Sequence, residues 1–301
     1  KAYESAKDYK KSFNFYKEGN WLHRKAINYN AQDNSDSVNR IINFFEKNKN
    51  EINFSSGCES SEPIFVLGLP RAGSTLIEQI LSAHTEIEGT QELGNIMHIG
   101  RQIRTSNNSE DYLNNLLELN NKSIRSYGKS YIDDTQWARQ EKCFFIDKMP
   151  NNFPHIGLIK MILPNAKIID ARRNPMDGCF SCFKQYFAKG QHFTYDLDDI
   201  ARYYKDYLKI MDFWNSYFPD SIHTVMYEDV IENPESEVKS MIDFLGLEFQ
   251  ESCLSFYESK RPVKTASSEQ VRQPIYKSAL NYWKNFDIDL IELKKHFPEY
   301  E

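Results

Sequence analysis

The sequence predicts an α/β fold in which a central parallel sheet is flanked by helices and preceded by an all-α extension. Three observations lead to this prediction. Short apolar runs alternate with helical segments from residue 63 onward, the first fifty residues are helical in pattern, and a polar stretch rich in Ser separates the two parts. The expected domain boundaries are 1–50 for the helical extension and 62–301 for the main domain.

The N-terminal extension carries apolar residues at helical spacing, namely Ala6, Tyr9, Phe13 and Tyr16. This pattern resembles the second helix of a tetratricopeptide repeat, a unit that needs neighbouring repeats to bury its apolar face. The alternative is an ordinary amphipathic helix that packs on the main domain. A further helix is predicted around residues 36–47.

The predicted strands are four apolar runs, each short enough for a strand that is buried in a parallel sheet. They read PIFVL, CFFID, AKIIDA and SIHTVMY. Between them, helices are expected to begin near Gly73, Glu92, Glu110, Phe153, Asp177, Asp196 and Pro234. Because ligands of such sheets bind at the carboxyl ends of the strands, the chemistry is expected where these four runs end.

Composition limits the function. The 301 residues are 40% hydrophobic and 27% charged, as in globular proteins that bury an ample core. The net charge of −6 argues against a nucleic-acid partner, and no apolar run has the length of a membrane span. Five cysteines without recurring spacing predict no disulfide framework. The one close pair, Cys179 and Cys182, is expected to be two buried helical thiols rather than a redox or zinc site.

The segment GLPRAGST joins the first strand to its helix and has the glycine spacing of a P-loop, at Gly68 and Gly73. Ser74 stands where that motif has its lysine. Backbone N–H groups at the start of the helix would point at an anion, and Arg71 could supply the missing cation. The sheet is therefore predicted to be of the P-loop type, with a tight turn that holds no ligand as the alternative.

A second basic site follows the AKIIDA strand. Arg173 comes directly after this strand, and Ser181 lies eight residues later, two turns into a helix that starts after Pro175. These two side chains could clamp a second phosphate, so the two sites together indicate one ligand with a phosphate at each end. A solvated pair of Arg172 and Arg173 is the alternative.

These motifs resemble those of the sulfotransferases. PRAGSTL is similar to the 5′-phosphosulfate loop of that family, and RRNPMDGCFS is similar to its 3′-phosphate motif. The likeness is to the tyrosylprotein sulfotransferases and the bacterial tetratricopeptide-repeat sulfotransferases. It runs from about residue 62 to about 286 and, if the helical match of the extension is included, back to residue 1. It implies the donor 3′-phosphoadenosine-5′-phosphosulfate (PAPS), with adenosine 3′,5′-bisphosphate as the product.

The resemblance also implies catalytic residues. Glu92 in GTQELGN matches the catalytic base of the family, and Lys148 in IDKMPNN matches a lysine that stabilises charge in the transition state. Ser267 in ASSEQVRQP matches a serine with the same task, and Arg71 joins them from the loop. On the residues alone, Glu92 could instead complement a helix dipole from the first turn, and His84 and His98 compete for the role of base.

The donor-binding residues implied by the resemblance come from the loop, the Arg173 motif, the start of YEDVIENP and a stretch over 268–277 that covers the nucleotide. Gln185 and Tyr282 replace basic residues of the family, and two basic residues of the covering stretch are candidates to take up those contacts. The full set is Arg71, Ala72, Gly73, Ser74, Thr75, Arg173, Ser181, Tyr227, Ser268, Gln270, Val271, Arg272 and Lys277.

The predicted function is sulfuryl transfer from PAPS to an acceptor hydroxyl, with a tyrosine of a peptide or protein as the first choice and a saccharide or small phenol as alternatives. No metal is expected, because the transferred sulfonate carries less charge than a phosphoryl group and fixed cations can replace magnesium. The main alternative is a P-loop kinase or NTPase that uses ATP and magnesium held by Asp147 and Asp170. A binding module that turns nothing over is the third possibility.

A cytoplasmic location of the bacterial type, without membrane partner, is the expectation. The tyrosylprotein enzymes have a pair of bonded cysteines at the positions of Gly89 and Ile146, and their absence here fits a reducing compartment.

Overall fold

A computed structural model of the chain describes residues 1–105, 111–140, 142–187, 190–259, 268 and 271–300. In this part of the chain, the main domain is built on one parallel sheet of five strands in the order β2-β3-β1-β4-β5. The strands are β1 (Pro63–Gly68), β2 (Ile87–Gly89), β3 (Phe144–Lys148), β4 (Lys167–Arg172) and β5 (Ile222–Met226). The predicted fold class is confirmed.

All four predicted strands are present, and the structure adds β2. This strand is three residues long and lies at the edge of the sheet beside β3. Its sequence, IEG, contains no apolar run that could predict it. The central strand, β1, is buried along its whole length because β3 and β4 flank it. The chain crosses from one side of β1 to the other between β3 and β4, which leaves a crevice at the carboxyl end of β1.

Helices cover both faces of the sheet. Alternate residues of β1 pack into different cores, Phe65 and Leu67 into one and Ile64 and Val66 into the other. Among the described residues the α-helices are α1 (Ala2–Ser5), α2 (Tyr9–Ala26), α3 (Ala31–Lys47), α4 (Ser74–Ser82), α5 (Asn95–Thr105), α6 (Tyr112–Leu117), α7 (Asn121–Thr135), α8 (Ile156–Ile162), α9 (Pro175–Phe183), α10 (Leu197–Tyr217), α11 (Tyr227–Glu232), α12 (Pro234–Leu245) and α13 (Ile291–Lys294). Short 3₁₀ helices span Gln136–Ala138, Pro150–His155, His192–Tyr195, Glu251–Cys253, Phe256–Glu258, Lys277–Ala279, Tyr282–Leu290 and Pro298–Tyr300.

The predicted helix starts in the main domain lie within three residues of the observed ones. The difference matters at Glu92, because α5 begins only at Asn95. Glu92 therefore lies in the loop before the helix, and the interpretation that places it in the first helical turn is wrong. Interaction with the dipole of α5 from its first turn therefore does not explain why a glutamate stands at position 92.

The extension α1–α3 packs directly on the main domain. Phe13 of α2 and Phe45 of α3 belong to the same buried core as Phe65 of β1, and the Asn20 amide donates a hydrogen bond to the Phe183 carbonyl over 2.7 Å. This packing agrees with the amphipathic-helix alternative. The tetratricopeptide assignment and the boundary at residue 50 stay predictions. Within the described ranges, none of the helices combines the length and apolarity needed to cross a membrane.

Candidate functional site

The β1–α4 loop is a tight turn that depends on its glycines. Gly68 has a φ of 138°, and a Cβ placed on it would lie 2.3 Å from the Ala171 carbonyl oxygen. Gly73 has a φ of 99°, and its Cβ would lie 2.7 Å from the Tyr227 ring. Gly73 is also the N-cap of α4, so the first N–H groups of that helix face the end of the loop. Larger residues at either position would close the cradle that these amides form.

Arg71 holds an uncommon backbone conformation inside this loop. Its φ of 67° lies in the left-handed region, which non-glycine residues occupy mainly where the surroundings enforce it. Its guanidinium Nε donates a hydrogen bond to the Ser181 hydroxyl over 3.1 Å. Burial lowers the pKa of Arg71, and the nearby Arg173 acts in the same direction. A desolvated guanidinium beside another cation is a favourable place for an anion.

Arg173 follows β4 and reaches back to the same loop. Its Nη1 donates to the Arg71 carbonyl over 3.3 Å and its Nη2 to the Ala279 carbonyl over 2.8 Å. The guanidinium stacks over the Tyr227 ring, with 4.6 Å between the carbon Cζ and the ring centroid. Its Nε is buried and makes no hydrogen bond to any described residue. Arg173 is therefore not a solvated side chain, and the alternative of a solvated arginine pair is wrong for this residue.

Helix α9 presents Ser181 because its start is fixed by a cap. The Asn174 side chain accepts hydrogen bonds from the Met176 and Asp177 backbone N–H groups, and Pro175 occupies the first turn. The Asp177 carboxylate in turn accepts from the backbone N–H groups of Asn281 and Trp283. These contacts tie the C-terminal segment to α9 above the loop.

The loop and the Arg173 motif open into one cavity of about 480 Å³. Among the predicted donor-binding residues, this cavity is lined by Arg71, Gly73, Thr75, Arg173, Ser181, Tyr227 and Val271. Ala72 and Ser74 are buried beside it, whereas Ser268, Arg272 and Lys277 are described but do not line it. Ser267 and Gln270 lie outside the described residues. The structure thus brings the two predicted anion sites together.

The predicted base and its lysine form an ion pair at the end of β3. Lys148 Nζ donates to Glu92 Oε1 over 2.6 Å. The lysine side chain is 2% exposed and the glutamate side chain 49% exposed. Neither residue lines the cavity, but β3 is the direct neighbour of β1, and Lys148 pairs in register with Val66, two residues before Gly68. The pair therefore stands beside the loop, with its carboxylate towards solvent.

The two aspartates of the kinase alternative lie in the inner strands β3 and β4. Asp147 and Asp170 are fully buried, and each accepts a hydrogen bond from a tyrosine hydroxyl, from Tyr131 and Tyr207 respectively. Asp170 also forms an ion pair with Arg172 over 2.6 Å. Burial raises the pKa of Asp147 to about 7, against the opposing effect of Tyr131. These carboxylates are engaged in the core and do not face the cavity.

The other competitors for a functional role have structural partners. His84 is buried, with its Nε2 3.0 Å from the Glu248 carbonyl and its Nδ1 accepting from the Glu86 backbone. His98 is exposed on α5, with its Nε2 3.1 Å from the Gln102 amide. Cys179 and Cys182 are buried in α9, as expected, and burial raises the pKa of Cys182 to about 12.

Sequence reasoning missed several residues that line the cavity, among them three with polar side chains at one wall. Glu4 and Tyr16 come from the N-terminal extension, and Lys184 follows α9. Lys184 has a sequence signal, because it directly precedes Gln185, the position where a basic residue is missing. Glu4 and Tyr16 have none, since only packing of α1 and α2 on the main domain brings them to the cavity.

These features define the class of the protein. A parallel sheet with a P-loop-type cradle after β1, and a ligand-sized cavity with cations from two strand ends, is typical of α/β proteins that bind phosphorylated ligands. Residues 63–251 match the model of the sulfotransferase family, and the chain belongs to that family. The match ends before Ser267 and the covering stretch.

Several proteins are similar to this chain. An uncharacterized protein of Aquifex aeolicus is 33% identical over 296 residues, which are 95% of this chain and 39% of that protein. The chain thus spans about two fifths of the length of this relative. Protein-tyrosine sulfotransferase A of Caenorhabditis elegans is 24% identical over 278 residues, 87% of this chain and 70% of that protein. The sulfotransferase domain from the Synechococcus PCC 7002 olefin synthase shares the fold, with a TM-score of 0.56 and 21% identity over 80% of this chain and 96% of that domain.

Proposed function

We propose that this chain transfers the sulfuryl group of PAPS to an acceptor hydroxyl. The observation that carries the proposal is the single cavity shared by Arg71 of the loop and by Arg173 and Ser181 of the second anion site. A ligand with an anionic group at each end would use both sites at once. Membership of the sulfotransferase family makes a sulfated nucleotide the natural choice for that ligand.

The residues present fit such a donor. The glycine cradle leaves the α4 amides accessible to an anion, and the buried Nε of Arg173 is a donor for which the described residues provide no acceptor. A cavity of about 480 Å³ is within the usual range for small-molecule sites. Arg71, the loop amides and Thr75 would hold the sulfated end, and Arg173, Ser181 and Tyr227 the opposite end.

PAPS supplies the activated sulfuryl group, whose sulfur leaves its phosphate oxygen and forms a bond to the acceptor oxygen. Glu92 takes the proton of the acceptor hydroxyl, because it is a partly exposed carboxylate in the connection between β2 and α5, paired with Lys148 at the end of the strand next to the loop. Lys148 and Arg71 stabilise the negative charge that gathers on the leaving phosphate oxygen. These fixed cations supply the charge for which phosphoryl transfer uses magnesium, and we propose a reaction without metal.

For the acceptor we propose a tyrosine of a peptide or protein. The support is the similarity to protein-tyrosine sulfotransferase A, together with the exposure of the Glu92 carboxylate at the surface rather than in a closed pocket. The role of Ser267 in the transition state stays a prediction from the resemblance. The kinase alternative has no support in the site, since both of its aspartates are engaged in the core.

The test is transfer of label from ³⁵S-labelled PAPS to three separate acceptor sets, which are tyrosine peptides, glycans and small phenols. The wild-type chain is expected to label tyrosine peptides, and the variants Glu92→Gln and Arg71→Ala to lose at least 99% of this rate. Glu86→Gln, which changes an exposed glutamate directly before β2, is the matched control and should keep the wild-type rate. Release of phosphate from ATP with magnesium, without any transfer from PAPS, would overturn the proposal.

A further inference from the structure

The cavity is lined in part by four polar side chains that we call the Glu4 cluster: Glu4, Tyr16, Lys184 and Tyr282. Lys184 Nζ and the Tyr282 hydroxyl both donate to Glu4 Oε1 over 2.6 Å, and the Tyr16 hydroxyl donates to Oε2 over 2.6 Å. All four residues line the cavity that Arg71 and Arg173 line. A carboxylate therefore collects three donors at the wall of a site that is otherwise suited to anions.

Lys184 belongs to the second anion site by its position. It caps α9 three residues after Ser181, and residues three apart lie on the same face of a helix. Aromatic rings surround its stem, with Nζ 4.2 Å from the Tyr282 ring centroid and 5.2 Å from that of Phe180. Burial lowers the pKa of Lys184, and the charges of Arg71 and Arg173 act in the same direction. The charge of Lys184 thus adds to those of Arg71 and Arg173 around one cavity, which Lys1 also lines.

Glu4 is the counter-ion of Lys184, and its negative charge offsets the repulsion between the cations. Burial opposes its ionisation, but the hydrogen bonds from Lys184, Tyr16 and Tyr282 outweigh burial and lower its pKa. The three donors that the carboxylate uses are groups that could also donate to an oxygen of a phosphate. Glu4 comes from α1, a helix of four residues without buried side chains. Exchange of this carboxylate for a ligand phosphate would therefore require little rearrangement of the core.

We propose that Lys184 determines specificity for a phosphate at the ribose end of the nucleotide, and that Glu4 is its exchangeable counter-ion. This inference rests on the proposed function, because it needs a nucleotide in the cavity. When the nucleotide binds, the Lys184 ammonium moves its hydrogen bond from Glu4 to the phosphate, beside Arg173 and Ser181. Gln185 and Tyr282 line the cavity next to Lys184, and their side chains are neutral. Among residues 180–187, Lys184 is the one with a cationic side chain.

The experiment compares two probes, adenosine 3′,5′-bisphosphate and adenosine 5′-monophosphate, by titration calorimetry with the full chain. Wild type is expected to bind the bisphosphate more tightly. Lys184→Met should weaken bisphosphate binding by about tenfold or more, the effect of one charge-assisted hydrogen bond, and change monophosphate binding by less than about twofold. Lys184→Arg should retain the preference, and Lys129→Met, at an exposed position of α7, should leave both affinities unchanged.

Glu4→Gln tests the counter-ion. With the carboxylate charge removed, the bisphosphate should bind with equal or higher affinity, and the monophosphate should not respond. A preference that persists in Lys184→Met, an equal loss for both probes, or weaker bisphosphate binding in a Glu4→Gln variant of wild-type melting temperature would overturn the inference. Failure of wild type to bind either nucleotide would instead contradict the proposed function itself.

Discussion

Lys148 and Glu92 form an ion pair in which the ammonium is buried and the carboxylate is half exposed, with 2.6 Å between Nζ and Oε1. This asymmetry places the charge of the lysine inside the domain and leaves the carboxylate of the glutamate partly open to solvent. The proposed reaction uses both properties.

Glu92→Gln is expected to lower the rate of sulfuryl transfer by about 10²- to 10⁴-fold, because the amide cannot take the proton of the acceptor. Binding of adenosine 3′,5′-bisphosphate should stay within about twofold of wild type, since Glu92 does not line the cavity. Single-turnover transfer and calorimetry measure the two quantities. Transfer that survives this substitution, but is lost in His98→Ala, would move the base to His98.

The same pair predicts unequal effects on stability. Glu92→Gln leaves the Lys148 ammonium buried without its counter-charge, and we expect a loss of about 1–2 kcal/mol in the free energy of unfolding. Lys148→Met removes the buried charge and leaves a carboxylate that water can reach, so its effect should be smaller than about 0.5 kcal/mol. Urea denaturation of both variants gives the comparison. A larger loss for Lys148→Met would contradict this account of the pair.

Arg71 and Ser181 are joined by one hydrogen bond over 3.1 Å, so their substitutions should not be additive. Arg71→Lys loses the planar guanidinium and should weaken bisphosphate binding by about tenfold or more. Ser181→Ala should cost about two- to tenfold. The double variant is expected to lose less than the product of the two effects. A fully multiplicative loss, measured by calorimetry, would mean that the two side chains act independently on the ligand.

Gly68→Ala should destabilise the chain by about 1–3 kcal/mol, because the added methyl group would meet the backbone oxygen of Ala171 at 2.3 Å and φ lies in the left-handed region. Gly19→Ala is the matched control. Gly19 lies inside α2 with open space around its Cβ position, so alanine there should stabilise by about 0.5–1 kcal/mol. Thermal unfolding of both variants tests the prediction, and a neutral Gly68→Ala variant would refute the close approach.

Asp147 predicts a pH dependence of stability. Burial raises its pKa from the ordinary 3.8 to about 7, so the native state keeps the proton in a range where the unfolded chain has lost it. Stability from this group therefore falls as pH rises from about 4 to about 7. Asp147→Asn should match wild type near pH 4 and be more stable than wild type at pH 8.5. His155, whose pKa burial lowers to about 4, contributes equally to both proteins and cancels in the difference. An unchanged difference between the two pH values would show that Asp147 does not titrate in this way.

Local patterns in the sequence were sufficient for four of the five strands and for the loop. The four longer strands are apolar runs, and the glycine spacing at Gly68 and Gly73 follows from a backbone turn that only glycine adopts without strain. The edge strand β2 was beyond such reasoning, because three residues carry no periodic signal and its pairing with β3 is a long-range contact. The start of α5 was also missed, so the helical explanation for Glu92 was wrong.

The sequence by itself determined the four longer strands, the cradle and the motifs that mark the family, because these depend on residues that are close along the chain. Only the tertiary structure decided that Arg71 and Arg173 share one cavity, that Lys148 at the end of β3 pairs with Glu92 in the connection after β2, and that Glu4 meets Lys184. The physical reason is that a hydrogen bond or ion pair of 2.6 Å depends on how distant segments pack. The partners in these contacts lie 56 to 180 residues apart, and no local pattern specifies such packing.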